Sequence, residues 1–335
     1  MSRAAVMGTG SWGTAFGMIL ADAGTDVVLW GKDADLAAHI TARHENLRYH
    51  PGIELPLSIR ATTDPEEALR GADFVVLAIP AQVLRENLVG WLPFVRDDAL
   101  YVSLMKGIEL GTSRRMSEVV REVADVPESQ VAVVSGPNLA REIMQRQPAA
   151  TVIACSDEEN ARRLQEASLT AYFRPYTNTD VVGTELGGSV KNVIALANGM
   201  AVGMGFGENT QASLITRGLA EMSRLGMALG ADPLTFSGLA GLGDLIATCQ
   251  SPLSRNRTFG ENLGRGMTVA HATAAANQTC EGVKSCRPIL ELAQRHDVEM
   301  PITEQVVRVV HDGLAPSAMV AAFMSRMAKS ERLDA

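Results

Sequence analysis

Short apolar runs bounded by turn residues alternate with helical periodicities from the start of the chain to about Tyr176. They predict strands at 4–7, 26–30, 59–62, 74–78, 100–103, 130–134, 151–154 and 172–176. Strands separated by helices make a parallel sheet wrapped on both faces. Asp64-Pro65-Glu66-Glu67 puts proline at a first helical position and Glu where a capping box needs it, and Ser156-Asp157-Glu158-Glu159 repeats the logic. After about Asp180 the strand pattern stops, and Val190, Val193, Ile194 and Ala197 recur at helical spacing. Helices are predicted over 185–200 and 212–229, followed by a stop and capped restart at Gly230-Ala231-Asp232-Pro233. A glycine-rich connection, Gly238-Leu239-Ala240-Gly241-Leu242-Gly243-Asp244, then interrupts the helices. The fold class expected is α/β: an N-terminal Rossmann-type doubly wound sheet over 1–180 and an all-helical domain over 181–335.

Composition narrows the function. The 335 residues are long enough for two cores, and 46% apolar with 20% charged is ordinary for a globular chain. A net charge of −8 argues against a nucleic-acid surface, so an anionic substrate would need a local basic pocket. Cys155, Cys249, Cys280 and Cys286 have neither zinc-ligand spacing nor the density of a disulfide scaffold, which points to free thiols in a reducing compartment. The first residues lack a signal-peptide pattern, and no apolar stretch approaches membrane-spanning length. A cytoplasmic location is therefore expected, with no membrane insertion and no nucleic-acid partner. The scattered histidines offer no metal site.

Gly8-Thr9-Gly10-Ser11-Trp12-Gly13 follows the first predicted strand and opens a helical pattern, the context that a dinucleotide fingerprint requires. Its first glycine makes the turn, the second admits the pyrophosphate, and the third lets helix and strand pack. At the end of the second strand stands Trp30-Gly31-Lys32-Asp33. Lys32 could meet a 2′-phosphate or be a solvated loop charge, and Asp33 could serve a ribose diol instead. NADP or NAD is the cofactor expected, with NADPH preferred.

Reduction of a ketone needs a proton donor, and a phosphorylated substrate needs fixed cations. Lys106, in Ser103-Leu104-Met105-Lys106-Gly107, follows the fifth strand, where parallel strands face the ligand crevice, and Gly107 suggests a tight turn. Lys191-Asn192 sits in a nearly uncharged helix with few charges to pair with it. Lys191 either snorkels to water or is desolvated, and beside a second lysine its pKa would fall toward neutrality. Asp244 either caps a helix or takes part in catalysis. Ser254-Arg255-Asn256-Arg257 is either a basic surface turn or a fork for phosphate oxygens.

Together with Ser135-Gly136-Pro137, Leu186-Gly187-Gly188-Ser189-Val190-Lys191-Asn192 and Leu214 to Glu221, these stretches make the chain resemble bacterial NAD(P)-dependent glycerol-3-phosphate dehydrogenases over nearly its whole length. The resemblance implies that dihydroxyacetone phosphate and sn-glycerol 3-phosphate are interconverted, supplying a phospholipid precursor. It implies Lys191 as proton donor, with Lys106 and Asp244 around the reacting centre. Ser254, Arg255, Asn256, Asn192, Thr248, Gly136 and Asn138 fall on the substrate side. Ser11, Trp12, Lys32, Tyr49, Lys106, Ala140, Arg255, Thr279 and Glu281 fall on the cofactor side. The sequence departs from the pattern at Asn138, commonly Ser or Thr, at Val202, often Asp, and at Lys32, often Arg. The expected partners are the small phosphorylated substrate and, as working assembly, a second copy in a homodimer. The competing readings are another two-domain dehydrogenase acting on a hydroxy or keto acid, such as a ketopantoate reductase, and a non-catalytic nucleotide-binding protein.

Overall fold

The computed structural model describes residues 2–276 and 280–324. Among these, the strands are β1 (Arg3–Met7), β2 (Asp26–Trp30), β3 (Arg60–Thr62), β4 (Phe74–Leu77), β5 (Leu100–Ser103), β6 (Val131–Ser135), β7 (Ala149–Ala154) and β8 (Phe173–Asn178). They form one sheet in the order β3-β2-β1-β4-β5-β6-β7-β8. Between them lie α1 (Ser11–Asp22), α2 (Ala34–Arg43), α3 (Pro65–Leu69), α4 (Leu84–Trp91), α5 (Met116–Ala124), α6 (Ala140–Met144) and α7 (Glu158–Ser168). The helical half begins with α8 (Val181–Gly203), α9 (Glu208–Ala228), α10 (Pro233–Ser237) and α11 (Asp244–Gln250). It continues through α12 (Arg255–Gly264), α13 (Val269–Ala275), α14 (Glu281–Arg295), α15 (Pro301–Asp312) and α16 (Pro316–Met324).

The expected α/β class and strand positions are those observed, with one correction to the sheet. Strands β1 to β6 run parallel, but β7 pairs antiparallel with β6, Val133 opposite Ala154, before β8 resumes parallel to β7. The link from β6 to β7 holds only α6, five residues long, which is too short to carry the chain back along the sheet for a parallel return. Alternation along β1 fills both faces: Ala4 and Val6 join the core with Phe16, Ile19 and Leu29, whereas Ala5 and Met7 join Val75, Leu84 and Trp91.

Helix α8 starts four residues earlier than its periodicity predicts, because the Asp180 carboxylate accepts the Gly183 N–H at 2.8 Å and caps it. It is buried without interruption from Gly183 to Ala201, as befits a helix apolar on nearly every face. Leu186, Val190, Val193 and Ile194 pack there with Met222 and Leu225 of α9, Ile289 of α14 and Val306 of α15. Each such side chain contributes about 1.5–3 kcal/mol by leaving water. The predicted capping box at α3 closes only by half: Asp64 accepts the Glu66 N–H at 2.9 Å, but the Thr62 hydroxyl engages Glu67. All four cysteines are buried and unpaired.

Helices α8 and α12 cross backbone to backbone. A Cβ on Gly199 would lie 2.1 Å from the Arg257 carbonyl oxygen, and on Gly203 2.2 Å from that of Glu261. Reciprocally, a Cβ on Gly260 would lie 2.1 Å from the Leu196 carbonyl oxygen, and on Gly264 2.2 Å from that of Met200. Both helices thus carry Gly-x-x-x-Gly on the contact, which leaves Cα–H groups facing carbonyl oxygens.

Gly260→Ala should therefore destabilise the protein by about 1–3 kcal/mol, as overpacking against rigid backbone does. Gly90→Ala in α4, where an added Cβ meets nothing within 4 Å, should instead gain about 0.5–1 kcal/mol from helix propensity. Urea melts of the two variants read these opposite signs; equal effects would show that the crossing is not so tight.

Candidate active site

The fingerprint lies at the carboxyl end of β1, where the sheet order reverses between β2 and β4. Gly8 has φ +142°, and a Cβ there would lie 2.4 Å from the Ala78 carbonyl oxygen. Gly13 lets α1 sit down on this turn, since its Cβ would fall 2.2 Å from the Gly8 carbonyl oxygen. Gly10 is the N-cap of α1 and brings no side-chain acceptor, so the first-turn N–H groups stay available to an anion. The turn is braced from outside: Asn46 Nδ2 donates to the Thr9 carbonyl at 3.0 Å and to Thr14 Oγ1 at 2.8 Å. His50 Nε2 lies 2.9 Å from the Ser11 carbonyl, to which it donates, and 3.2 Å from Ser11 Oγ. Burial lowers the His50 pKa, which keeps the ring neutral beside the anion site.

From this turn a cleft of about 1000 Å³ runs between the sheet and the helical half. Its outer end has Lys32, Arg48 and Tyr49 on the wall. Asp33 is engaged elsewhere: it caps α2 by accepting the Leu36 N–H at 3.0 Å and pairs with Arg48 at 3.3 Å. The size of the cleft, the glycine cradle and the uncapped α1 N-terminus fit a nicotinamide dinucleotide.

At the inner end Asp244 lies between two lysines. The Lys106 ammonium donates to Asp244 Oδ2 at 2.6 Å and to the Gly136 carbonyl at 3.4 Å. The Lys191 ammonium donates to Asp244 Oδ1 and, at 2.6 Å, to Thr248 Oγ1. Lys191 therefore does not snorkel to water. Nor does Asp244 act as a helix cap; it opens α11 after a single π turn, Leu239–Gly243, and its carboxylate goes wholly to the lysines and Thr248. Gly107 is corrected too: its φ is ordinary, and its smallness serves close packing, a Cβ there meeting Ala81 at 2.9 Å. Burial drives the Lys191 pKa down, the Asp244 charge opposes that, and the nearby Lys106 charge adds to it. An ammonium has three donors, and Lys191 spends two, leaving one for an oxygen in the cleft.

Next to this centre, Ser254 accepts the Arg257 N–H and caps α12, so the predicted basic turn is the first turn of a helix. Arg255 is exposed to the cleft, and its guanidinium makes no hydrogen bond among the described residues. Arg257 pairs with Glu261 and is not on the cleft wall. Asn256 is oriented by accepting the Gly282 N–H at 3.0 Å on Oδ1, which frees its Nδ2 to donate. Asn138 donates to Thr151 at 2.9 Å, while its buried Oδ1 has no hydrogen-bond partner among the described residues. Glu281, whose pKa is raised by burial, likewise has a buried oxygen, Oε2, with no partner among the described residues.

One cleft wall thus gathers Gly8, Gly10, Ser11, Trp12, Gly13, Lys32, Tyr49, Lys106, Asn138, Ala140, Lys191, Asn192, Thr248, Ser254, Arg255, Asn256 and Glu281. Asp244 and Gly136 stand just behind it as partners of the lysines. Thr279 lies outside the described residues. Sequence reading missed Asn46, Arg48 and His50, which sit in the loop between α2 and β3 and carry no periodic signal. Glu221, quoted among the resembling stretches, accepts the Ile302 and Thr303 N–H groups at the start of α15 and plays a structural part.

A doubly wound sheet with a fingerprint at its switch point, facing a helical half that supplies a buried lysine, is the build of a Rossmann-type oxidoreductase. Residues 3–161 match the model of the NAD-dependent glycerol-3-phosphate dehydrogenase N-terminus, and residues 180–321 that of the C-terminus. Glycerol-3-phosphate dehydrogenase [NAD(P)+] from Streptomyces griseus is 65% identical over 98% of both chains, and that from Thermobifida fusca 61% over 99% of both. The crystal structure of the Coxiella burnetii glycerol-3-phosphate dehydrogenase aligns with a TM-score of 0.92 at 37% identity, covering 97% of this chain and 99% of that one. The chain belongs to the NAD-dependent glycerol-3-phosphate dehydrogenase family. Its likeness to a ketopantoate reductase from Ralstonia eutropha, TM-score 0.57 at 16% identity, is one of fold alone.

If Lys191 gives the proton in ketone reduction, the charge arrangement makes a signed prediction: the rate should fall as pH rises through the Lys191 pKa. Lys106→Met removes a like charge and should move that fall to higher pH; Asp244→Asn removes the opposing charge and should move it to lower pH. Turnover profiles at saturating substrate check both, and shifts of the same sign would show that Lys191 does not set the limb.

Proposed function

We infer that this chain catalyses the NAD(P)-dependent interconversion of dihydroxyacetone phosphate and sn-glycerol 3-phosphate, with residues 1–180 taking the nucleotide and 181–335 supplying the substrate side. The observation that carries the reading is the Lys106–Asp244–Lys191 centre in one cleft with the Asn256 amide and the Arg255 guanidinium, which has no hydrogen-bond partner among the described residues. Gly8, Gly10, Ser11, Trp12 and Gly13 would hold the pyrophosphate, and Ala140, Glu281 and Lys106 would flank the nicotinamide end. When bound, the cofactor supplies or accepts the hydride at the substrate's central carbon. The spare Lys191 donor meets the carbonyl oxygen and passes it a proton in reduction, or takes the hydroxyl proton in oxidation. Asp244 keeps Lys191 aimed, and Lys106 adds positive charge where the oxygen becomes negative. Arg255 and Asn256 grip the phosphate, so that binding energy from a non-reacting group orients the carbonyl. Asn192, Thr248 and Asn138 complete the polar wall around it.

NADPH is the preferred cofactor in this reading. Support comes from Lys32 and Arg48 on the outer wall and from Asp33, whose carboxylate is spent on the α2 cap and on Arg48 rather than free for a ribose diol. A cytoplasmic homodimer supplying glycerol 3-phosphate to phospholipid synthesis belongs to the same proposal. Among the described residues no helix is long and apolar enough to cross a membrane.

Absorbance at the reduced-nicotinamide band with dihydroxyacetone phosphate, NADPH and NADH side by side, is the direct test; oxidation only with unphosphorylated keto acids would move the chain to the reductase reading. Lys191→Ala should lower turnover by about 10²–10⁴ with little change in cofactor affinity, the span typical of a lost acid–base group. Arg255→Ala should raise the substrate KM about 10- to 100-fold, the cost of one charge-assisted phosphate contact. Unchanged turnover in the first, or an unchanged KM in the second, would remove that residue from its role. Lys32→Ala should raise the KM for NADPH and leave that for NADH within about twofold; equal changes would break the 2′-phosphate assignment.

A further inference from the structure

The hairpin that carries Lys106 is held from the other half of the molecule. Leaving β5, the chain passes Lys106 and returns with Ile108 bridged to Arg115 and the Glu109 N–H donating to the Arg114 carbonyl at 2.9 Å. Ile108 is fully buried in the helical core that contains Leu186 and Val190. Helix α5 then begins with Arg115 as its N-cap, a side chain that has no acceptor to offer. Glu118 of the same turn accepts the Arg115 N–H at 2.8 Å, and a second acceptor comes from α8. The buried Glu185 carboxylate takes the Ser117 N–H at 2.8 Å, the Ser117 hydroxyl at 2.6 Å and Arg115 Nη1 at 3.0 Å.

Glu185, Gly188 and Lys191 follow at intervals of three along one side of α8. Gly188 lies beneath the Lys106 stem, where an added Cβ would come within 3.4 Å of Lys106 Cγ. One helix face therefore grips the returning end of the hairpin at Glu185, supports the lysine stem at Gly188 and presents its own lysine three residues on. A buried ion pair of this kind adds little net stability, since desolvation offsets the attraction. What it adds is direction, because three donors from two neighbouring residues converge on one carboxylate.

We propose that Glu185 is a positioning residue, which caps α5 from α8 and thereby holds the Lys106 hairpin so that Lys106 meets Asp244 opposite Lys191. The proposal rests on the reading of Lys106 and Lys191 as parts of the reacting centre. Glu185→Gln keeps the shape and can still accept the Ser117 N–H, but it loses the buried charge on Arg115 and leaves that side chain to the more exposed Glu118. In the full-length enzyme, kcat for reduction of dihydroxyacetone phosphate should fall about tenfold to a hundredfold, as small misplacements do, with the KM for NADPH nearly unchanged. The alkaline fall in rate should move to higher pH, as Lys106 withdraws from Lys191.

The deciding measurement is the cycle of Glu185→Gln, Lys106→Met and the double variant. With the Lys106 charge already gone, Glu185→Gln should produce no further pH shift. Additive shifts, or a Glu185→Gln enzyme with normal kcat and pH profile and only a lower melting temperature, would overturn the proposal. Ser117→Ala, which removes a single hydroxyl, takes the same place in the cycle if Glu185→Gln does not fold. Failure of the underlying reading shows up separately, as unchanged turnover in Lys191→Ala.

Discussion

The crossing of α8 over α12 is the contact on which the site depends. Four glycines put backbone against backbone at its centre, so each helix meets the other's carbonyl oxygens directly there, with no side chain between them to adjust the separation. Two turns before Gly199 on α8 stand Lys191 and Asn192; one turn before Gly260 on α12 stand Asn256 and Arg255. The Lys191 end and the Arg255–Asn256 end of the cleft, proposed for proton transfer and for the phosphate, are thus set by the same rigid contact. The start of α14 is tied in as well, since Gly282 packs against the Asn192 carbonyl and gives its N–H to Asn256.

That arrangement explains why α8 can be buried along nearly its whole length and yet contain charge. A fully buried helix ordinarily excludes lysine and glutamate, because each desolvated ion costs several kcal/mol. Here each has a partner from outside the helix: Glu185 has Arg115 and Ser117, and Lys191 has Asp244 and Thr248. Both partners approach across the boundary between the sheet and the helical elements or across the α8–α11 contact. The charges of α8 are consequently the points at which other elements are located on it.

Features that are contiguous in sequence were legible without coordinates. The fingerprint, the strand runs and the Asp232-Pro233 restart each have local causes, and each stands where its pattern predicts. Strand direction was not legible, because a period of two is the same read either way; only the length of α6 reveals that β7 must turn back. The paired Gly-x-x-x-Gly stretches were present in the sequence, but neither identifies its partner alone. Helix starts capped from elsewhere were invisible for the same reason: Arg115 and Met300 are poor N-caps, and the acceptors, Glu185 and Glu221, lie 70 and 79 residues away. The candidate residues that the cleft brings together include those whose chemistry is unusual for their surroundings, above all a lysine in an apolar helix. Arg48 and His50, ordinary residues in an irregular loop, carried no such contrast.

The buried centre also has a charge imbalance that bears on how the cleft works. Two ammonium groups share one carboxylate, so the group carries a net positive charge in a place that water reaches poorly, and Arg255 adds a further cation alongside. Such an excess is unfavourable in the free protein, and the Lys106 charge adds to burial in depressing the Lys191 pKa against the opposing charge of Asp244. In the proposed reaction a dianionic phosphate entering beside Arg255 would offset it, and a carbonyl oxygen gaining negative charge during reduction would offset it further. The interaction therefore strengthens as the reaction proceeds, the condition under which electrostatics accelerates a chemical step rather than merely tightening binding. A neutral centre, with a second carboxylate beside Asp244, would bind its lysines more comfortably and have less to gain from the substrate.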